Sequence, residues 1–121
     1  MSLGLYLHIP YCFSKCRYCD FYSHPGERGV PDAYVEALVR ELDRFAPERP
    51  LQPDTLYFGG GTPSLLRPEQ AKRLIDAARP MPGAEITLEA NPETVTEESL
   101  AGFREAGVNR LNISCLLYTS P

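Results

Sequence analysis

The feature that most constrains this chain is a strand–loop–helix pattern that occurs three times within 121 residues. Apolar runs of strand length at 3–9, 55–58 and 85–90 are each followed by a loop and then by apolar residues at helical spacing. A fourth strand starts at Val108. Strands that alternate with helices indicate βαβ crossovers and a parallel sheet. The pattern therefore predicts an α/β fold.

Boundary residues predict where the three helices begin and end. Pro31 opens the first helix, and Pro47 follows its end. Pro68 fits the first turn of the second helix, Thr96 is the predicted N-cap of the third, and Gly107 suits the end of the third. The apolar stripes are Tyr34, Val35, Leu38, Val39, Leu42 and Phe45 in the first helix, Ala71, Leu74, Ile75 and Ala78 in the second, and Leu100, Phe103 and Ala106 in the third.

The composition, with 43% hydrophobic residues, suits one globular domain or part of a larger one. The net charge of −4 argues against a nucleic-acid-binding protein, which normally carries a basic face. The sequence has no apolar run of membrane length, and its start lacks the charged segment and cleavage site of a signal peptide. We therefore expect a cytoplasmic protein, in which clustered cysteines are metal ligands more often than disulfides.

Three cysteines, Cys12, Cys16 and Cys19, lie in one loop directly after the first strand. Thiolates at this spacing can bind three irons of a 4Fe–4S cluster and leave the fourth iron open, whereas the ferredoxin spacing closes every iron with protein. Lys15 and Arg17 beside them favour the thiolate form. An open iron is a place where a further ligand can bind and react.

Two other uses of these cysteines stay open on spacing alone. His24 or Cys115 could supply the fourth ligand of a tetrahedral zinc site, although structural zinc ligands usually come as two close pairs. Cys12 and Cys16 could form a disulfide, although an odd cysteine would then be left over. The spacing favours the cluster over both alternatives.

A run of three glycines, Gly59 to Gly61, follows the second strand. Glycines allow backbone conformations and close approaches that a Cβ atom would forbid, so their N–H groups could meet a polar or charged ligand. The run matches neither the dinucleotide-binding glycine pattern nor a P-loop. A tight turn between strand and helix explains it equally well.

Glu89 lies near the end of the third strand, on the same face as Thr87. Both faces of a parallel sheet are normally buried, so a carboxylate there is either solvated at the rim or hydrogen-bonded to a ligand hydroxyl. The ligand is the favoured interpretation. In the first strand Tyr6 and His8 share a face, and for His8 a structural role is favoured.

Each unusual loop follows a strand: the cysteines follow the first, the glycines the second, and the loop after Glu89 the third. In parallel sheets, chemistry gathers beyond the carboxyl ends of the strands. We therefore predict that the three loops converge on one rim of the sheet and form a site there.

Taken together, these motifs resemble the radical S-adenosylmethionine (SAM) superfamily, and within it the branch that contains oxygen-independent coproporphyrinogen III oxidase and the heme chaperone HemW. The resemblance covers 5–113. It implies a TIM-like (β/α)6 barrel, of which 1–113 would supply the N-terminal part of the core domain, about three βα units plus a fourth strand. The motifs that carry it are Tyr6-Leu-His-Ile-Pro-Tyr-Cys12, C-x3-C-x2-C, Phe58-Gly-Gly-Gly-Thr-Pro-Ser64, Glu89-Ala-Asn-Pro92 and Gly107-Val-Asn-Arg-Leu111.

The resemblance also implies a role for each matching residue. Cys12, Cys16 and Cys19 would ligate the 4Fe–4S cluster, and SAM would chelate the open iron through its amino and carboxylate groups. Reduction of the cluster by one electron would cleave the sulfonium and give a 5′-deoxyadenosyl radical. The residues implied to contact SAM are Gly60, Gly61 and Thr62 at its methionine end, Glu89 at its ribose, and Tyr6 and Tyr18 beside the cofactor.

Phe21 distinguishes the two members of this branch. The oxidase has a further cysteine two positions after the third ligand, where this chain has Phe21, as the chaperone does. The resemblance thus favours a heme chaperone, with heme as a further ligand of the complete protein and heme-acceptor proteins and an electron donor as partners. A genuine oxidase acting on a porphyrinogen, and a zinc-stabilised α/β binding module, are the alternatives, so whether the protein is an enzyme stays open.

The sequence departs from the family pattern at its end. After Ile113 the family continues with a small residue and then a glutamine that helps to hold the cofactor, whereas this chain reads Ser114-Cys-Leu-Leu-Tyr-Thr-Ser-Pro121. We expect 114–121 to be a non-native tail, which would make Cys115 no ligand. A divergent strand end is the alternative. We also expect a chain that stops in the fourth strand to bind its cofactor incompletely and to be inactive alone.

Overall fold

The computed structural model describes residues 3–11, 29–44 and 52–113 of the chain. Strands and helices alternate in the predicted order, so the α/β prediction is confirmed. Thr96 caps the third helix as predicted, because its Oγ1 accepts a hydrogen bond from the Ser99 N–H at 3.0 Å. The elements are β1 (Gly4–Ile9), α1 (Asp32–Asp43), β2 (Thr55–Gly60), a 3₁₀ turn (Pro63–Leu65), α2 (Pro68–Ala78), β3 (Glu85–Ala90), α3 (Glu97–Ala106) and β4 (Arg110–Ile113).

The four strands form one parallel sheet in the order β1-β2-β3-β4. Each crossover therefore moves one strand along in the same direction. Because βαβ crossovers are right-handed, such a sheet carries its helices on one face, whereas a doubly wound sheet reverses direction and carries helices on both. A parallel sheet that is wound one way with its helices outside is an arc of a barrel.

The hydrophobic core lies between the sheet and its three helices. Alternate strand residues supply the sheet side, and the apolar stripes of α1, α2 and α3 supply the other. Val35, Val39 and Leu42 of the predicted α1 stripe are buried, whereas Phe45 lies outside the described residues. The strand residues buried in this core are Leu7, Ile9, Leu56, Phe58, Ile86 and Leu88.

The opposite face of the sheet, which we call the inner face, carries the remaining strand side chains. The register aligns Tyr6 of β1 with Tyr57 of β2, and Glu89 of β3 with Asn112 of β4. Tyr6 is 54% exposed there. Within the described residues, no helix is both long and apolar enough to cross a bilayer.

Candidate functional site at the carboxyl ends of the strands

The run of glycines at 59–61, together with Thr62, lies directly against the end of β1; we call this segment the glycine loop. The N–H of Gly61 donates to the carbonyl of Ile9 at 2.9 Å, and the N–H of Thr62 donates to the carbonyl of Tyr11 at 2.6 Å. Tyr11 is the last described residue before Cys12, so the glycine loop borders the segment that carries the cysteines. Cys12, Cys16, Cys19 and Tyr18 themselves lie outside the described residues, as do His24, Phe21 and the proposed tail.

Two of the glycines are required by close packing. Gly60 has φ +118°, and a Cβ atom there would lie 2.8 Å from the Ile9 carbonyl oxygen and 2.9 Å from the His8 ring. A Cβ atom at Gly59 would lie 2.7 Å from the Tyr6 ring. All three distances are too short for real contacts, so the end of β2 excludes side chains at these positions and its backbone stays against β1.

The N–H groups of Gly60, Gly61 and Thr62 bond to the protein; of the two interpretations left open by the sequence, a ligand site and a tight turn, these contacts match the tight turn. The Gly60 N–H donates to Glu89 Oε1 at 3.2 Å, while those of Gly61 and Thr62 donate to backbone carbonyls. The reason is that β2 continues in register with β1 as far as Gly60, so the loop leaves the sheet later than the sequence suggests.

Glu89 is held at both of its carboxylate oxygens. Oε2 accepts from the Tyr57 hydroxyl at 2.8 Å, and Oε1 accepts from the Gly60 N–H at 3.2 Å. The Tyr57 oxygen accepts in turn from Asn112 Nδ2 at 2.9 Å. Burial is the main cause that raises the pKa of Tyr57; the Asn112 amide opposes the rise and the Glu89 carboxylate adds to it. Tyr57 is therefore a protonated donor at neutral pH.

Aromatic rings lie next to this carboxylate on the inner face. The Tyr6 and Tyr57 rings are stacked, with centroids 5.9 Å apart and planes 13° apart. The Tyr6 hydroxyl also lies 3.4 Å from Nδ1 of His8. The exposed Tyr6 ring and the fixed Glu89 carboxylate both contact Tyr57, and together they suit a ligand that has both a flat ring and hydroxyl groups.

The loops after β2 and β3 are joined by a part-buried pair of hydroxyl groups, those of Ser64 and Thr94. Ser64, which is 4% exposed, accepts from the Asn91 N–H at 3.1 Å and hydrogen-bonds the hydroxyl of Thr94. Thr94 also donates to the Asn91 carbonyl at 2.9 Å. The prediction that the second and third loops meet at one rim is therefore confirmed, and the contacts of Ile9 and Tyr11 bring the end of β1 to the same rim.

Of the residues predicted to contact a cofactor, the structure brings together Tyr6, Gly60, Gly61, Thr62 and Glu89. Sequence reasoning missed Tyr57 and Asn112. Alternation in β2 puts Tyr57 on the face of Gly59, and this signal could have found it once the pairing with β1 was known. The described residues contain no group of three His, Cys, Asp or Glu suited to a metal ion.

These features define a class of protein: a one-sided α/β sheet with a carboxylate and a run of glycines at its carboxyl ends, which are the usual site of chemistry in such sheets, and with three cysteines that follow its first strand in sequence. The profile of the radical SAM superfamily matches residues 6–115. The chain belongs to this superfamily.

Individual relatives agree with this assignment. The chain is 45% identical over 119 residues to the heme chaperone HemW of Escherichia coli, and this match covers 92% of the chain and 31% of the relative. It is 41% identical over 118 residues to the heme chaperone HemW of Mycobacterium tuberculosis, covering 91% of the chain and 30% of the relative. The chain thus spans about a third of the length of these relatives.

A solved structure shares the fold. The coproporphyrinogen III oxidase HemN of Escherichia coli, described as a radical SAM enzyme, superposes with a TM-score of 0.70 at 31% identity. The match covers 93% of this chain and 27% of that one. The fold is therefore that of one part of a radical SAM barrel.

Proposed function

We propose that this protein is a radical SAM protein of the heme pathway that acts as a heme chaperone. The observation that carries the proposal is that heme chaperones HemW match more than nine-tenths of the chain, at up to 45% identity. Phe21, which stands where the oxidase branch has a further cysteine, supports the same choice.

Membership of the superfamily implies a 4Fe–4S cluster and SAM, and the residues of this chain fit both. Cys12, Cys16 and Cys19 would hold the cluster, because three thiolates leave one iron for SAM. The backbone at Gly60 and Gly61 would meet the methionine end of SAM, and the close packing of Gly60 against Ile9 and His8 would hold that backbone in place. When bound, the cluster and SAM supply one-electron chemistry.

The described residues would bind and orient SAM. Glu89 would accept hydrogen bonds from the ribose hydroxyls, since its two oxygens are already fixed in direction. Carbonyls of Gly60 and Gly61, together with Thr62, would meet the methionine end. Tyr6 would pack its exposed ring against the cofactor, and Tyr18 would lie beside it.

The partners and the compartment follow from the same proposal. Heme or a porphyrinogen would bind the complete protein, heme-acceptor proteins would receive the heme, and an electron donor would reduce the cluster. Three free thiolates need a reducing compartment, which supports a cytoplasmic protein. Residues 1–113 would form the N-terminal part of the core domain, and later strands of the complete protein would supply the remaining contacts to SAM.

The test is to express the protein from its complete gene, reconstitute it anaerobically with iron and sulfide, and assay two activities side by side. A heme chaperone binds hemin with a distinct visible spectrum and passes it to an apo heme protein, without decarboxylating coproporphyrinogen III. Decarboxylation of the porphyrinogen propionates without stable heme binding would instead support the oxidase. Stoichiometric zinc in place of iron would contradict both and favour the zinc-stabilised binding module.

A further inference from the structure

We propose that Tyr57 is a positioning residue for Glu89, and that Asn112 directs the Tyr57 proton to that carboxylate. This inference rests on the proposed role of Glu89 in binding the ribose of SAM. Neither residue belongs to the motifs by which the superfamily was recognised in this sequence. Both lie on the inner face, next to Glu89, and form a chain of two hydrogen bonds that ends on its Oε2.

The direction of this chain follows from the donors available. A phenol has one proton, and the Tyr57 oxygen already accepts from Asn112 Nδ2 at 2.9 Å. The proton is therefore free to point to Glu89 Oε2, 2.8 Å away. An asparagine amide at this site thus favours one orientation of the tyrosine hydroxyl, the one in which it donates to the carboxylate.

The Tyr57 ring is itself fixed. Tyr6 stacks on it with planes 13° apart, and the absence of a side chain at Gly59 leaves room for both rings, because a Cβ atom there would lie 2.7 Å from Tyr6 and 2.9 Å from Tyr57. A donor on a packed ring is better oriented than one on a flexible chain. Tyr57 therefore holds Glu89 in one position before any ligand binds.

The number of acceptor sites left on Glu89 indicates the class of ligand. Each carboxylate oxygen can accept about two hydrogen bonds. The Gly60 N–H takes one on Oε1 and the Tyr57 hydroxyl takes one on Oε2, which leaves one directed site on each oxygen. Two neighbouring acceptor sites match the two hydroxyls of a cis-diol. We infer that Tyr57 and Gly60 together prepare Glu89 for a ribose with both its 2′ and 3′ hydroxyls.

The experiment measures binding of S-adenosylhomocysteine and of its 2′,3′-dideoxy analogue to the reconstituted protein by isothermal titration calorimetry. Tyr57→Phe should lower the affinity for S-adenosylhomocysteine about 3- to 10-fold, the usual effect of losing one oriented hydrogen bond to a charged group. It should leave the dideoxy analogue within about 2-fold of wild type, because that ligand has no diol for Glu89. A purely structural role of Tyr57 would weaken both ligands equally and would overturn the proposal.

Two further variants complete the test. Tyr34→Phe is the matched control, because its phenol donates to a backbone carbonyl, that of His8 at 2.6 Å, and not to Glu89; we expect both affinities to stay unchanged. Asn112→Asp supplies a carboxylate that competes with Glu89 for the Tyr57 proton. It should therefore weaken the binding of S-adenosylhomocysteine but not that of the dideoxy analogue. This variant tests the proposal even if Tyr57→Phe does not fold. If the ratio of the affinities for S-adenosylhomocysteine and its dideoxy analogue is the same in Asn112→Asp as in the wild type, the proposal is overturned.

Glu89→Gln separates this inference from the proposed function. If Glu89→Gln binds S-adenosylhomocysteine more weakly while Tyr57→Phe binds it as tightly as the wild type, the role of Tyr57 is overturned and the role of Glu89 stands. Wild-type diol binding in Glu89→Gln, or no binding of S-adenosylhomocysteine by the wild-type protein, would overturn the ribose role of Glu89 and the inference with it.

Discussion

At the scale of single residues, the site depends on positions where no side chain fits. The Gly60 N–H donates to Glu89, and a Cβ atom added to Gly60 would lie 2.8 Å from the Ile9 carbonyl oxygen. Its backbone therefore joins the ends of β1, β2 and β3 at one point. A side chain at this position would separate the strand ends and move the donor away from Glu89.

We expect Gly60→Ala to lower the melting temperature of the protein more than Gly83→Ala does. Both glycines have positive φ, +118° and +81°, so alanine carries a backbone cost of roughly 1–2 kcal/mol at each. Only at Gly60 would the new Cβ collide, 2.8 Å from Ile9 O, since nothing lies within 4 Å at Gly83. Differential scanning fluorimetry measures both, and equal losses would contradict the close packing of the turn.

Sequence reasoning could find Glu89 but not what holds it. A carboxylate on a parallel strand is unusual in any register, so alternation and burial cost were enough to single it out. Tyr57 looks like an ordinary strand aromatic until the register sets it beside Tyr6 and one strand from Glu89. Register depends on long-range pairing, which the local pattern of residues does not contain.

At the scale of secondary-structure elements, Gln70 joins the starts of α1 and α2. Its Oε1 accepts from the Arg67 N–H at 2.8 Å, and its Nε2 donates to the Val30 carbonyl at 2.8 Å and to Asp32 Oδ1 at 2.9 Å. Gln70 is only 4% exposed. Val30 lies just after the segment 12–28, so Gln70 fixes the point where the chain returns from the cysteines.

We expect Gln70→Leu to destabilise the protein by about 1–3 kcal/mol, because it leaves the Val30 carbonyl and the Arg67 N–H without this partner. Leucine has a similar volume, so packing changes little. Urea denaturation followed by circular dichroism gives the free energy of unfolding. Lys72→Leu, on the exposed face of the same helix, is the control and should lower the free energy of unfolding far less. Equal losses of stability in the two variants would contradict the role of Gln70 in joining α1 and α2.

The ion pair between α1 and α2 should be visible in the titration of Glu36. The hydrogen bond from Arg73 is the main cause that lowers the pKa of Glu36, with burial opposing it and the charge of Arg73 adding to it. A lowered pKa in the folded state means that the stabilisation is present above about pH 4.5 and is lost as pH falls through the folded value. NMR of the side-chain carboxyl carbons should find a titration midpoint of Glu36 below that of an ordinary glutamate. In Arg73→Met this midpoint should rise towards the ordinary value. An unchanged midpoint in that variant would contradict the pairing.

Helix and strand positions were predictable because each depends on local signals. Pro68 begins α2, Thr96 caps α3, and β3 has the predicted bounds. The end of β2 was not predictable, since Gly59 and Gly60 read as a loop and join the strand only through pairing with β1. Their backbone conformation is decided by a neighbouring strand, and this information is absent from the local sequence.

At the scale of the whole molecule, the sheet is covered by helices on one face only. On the inner face Tyr6 is 54% exposed, and on the helix face of β4 Leu111 and Ile113 are 38% and 54% exposed. Within the described residues, β1 and β4 are the two edges of the sheet. Open edges of parallel sheets offer unpaired backbone groups to other chains.

We expect the 121-residue polypeptide alone to be marginally stable and to aggregate. The exposed apolar residues of β4 and the open inner face both favour association between copies. Thermal denaturation at several protein concentrations, with light scattering, measures this. A cooperative transition that is reversible and independent of concentration would contradict the prediction.

The central claim is that the loops after the strands form a site for a 4Fe–4S cluster with one iron open to SAM. Electron paramagnetic resonance of the reconstituted, reduced protein, recorded anaerobically with and without SAM, tests it most directly. We expect a reduced 4Fe–4S signal whose g values change when SAM is added, because SAM would bind the open iron. A cluster signal that SAM leaves unchanged, or a protein that takes up zinc and forms no cluster, would contradict it.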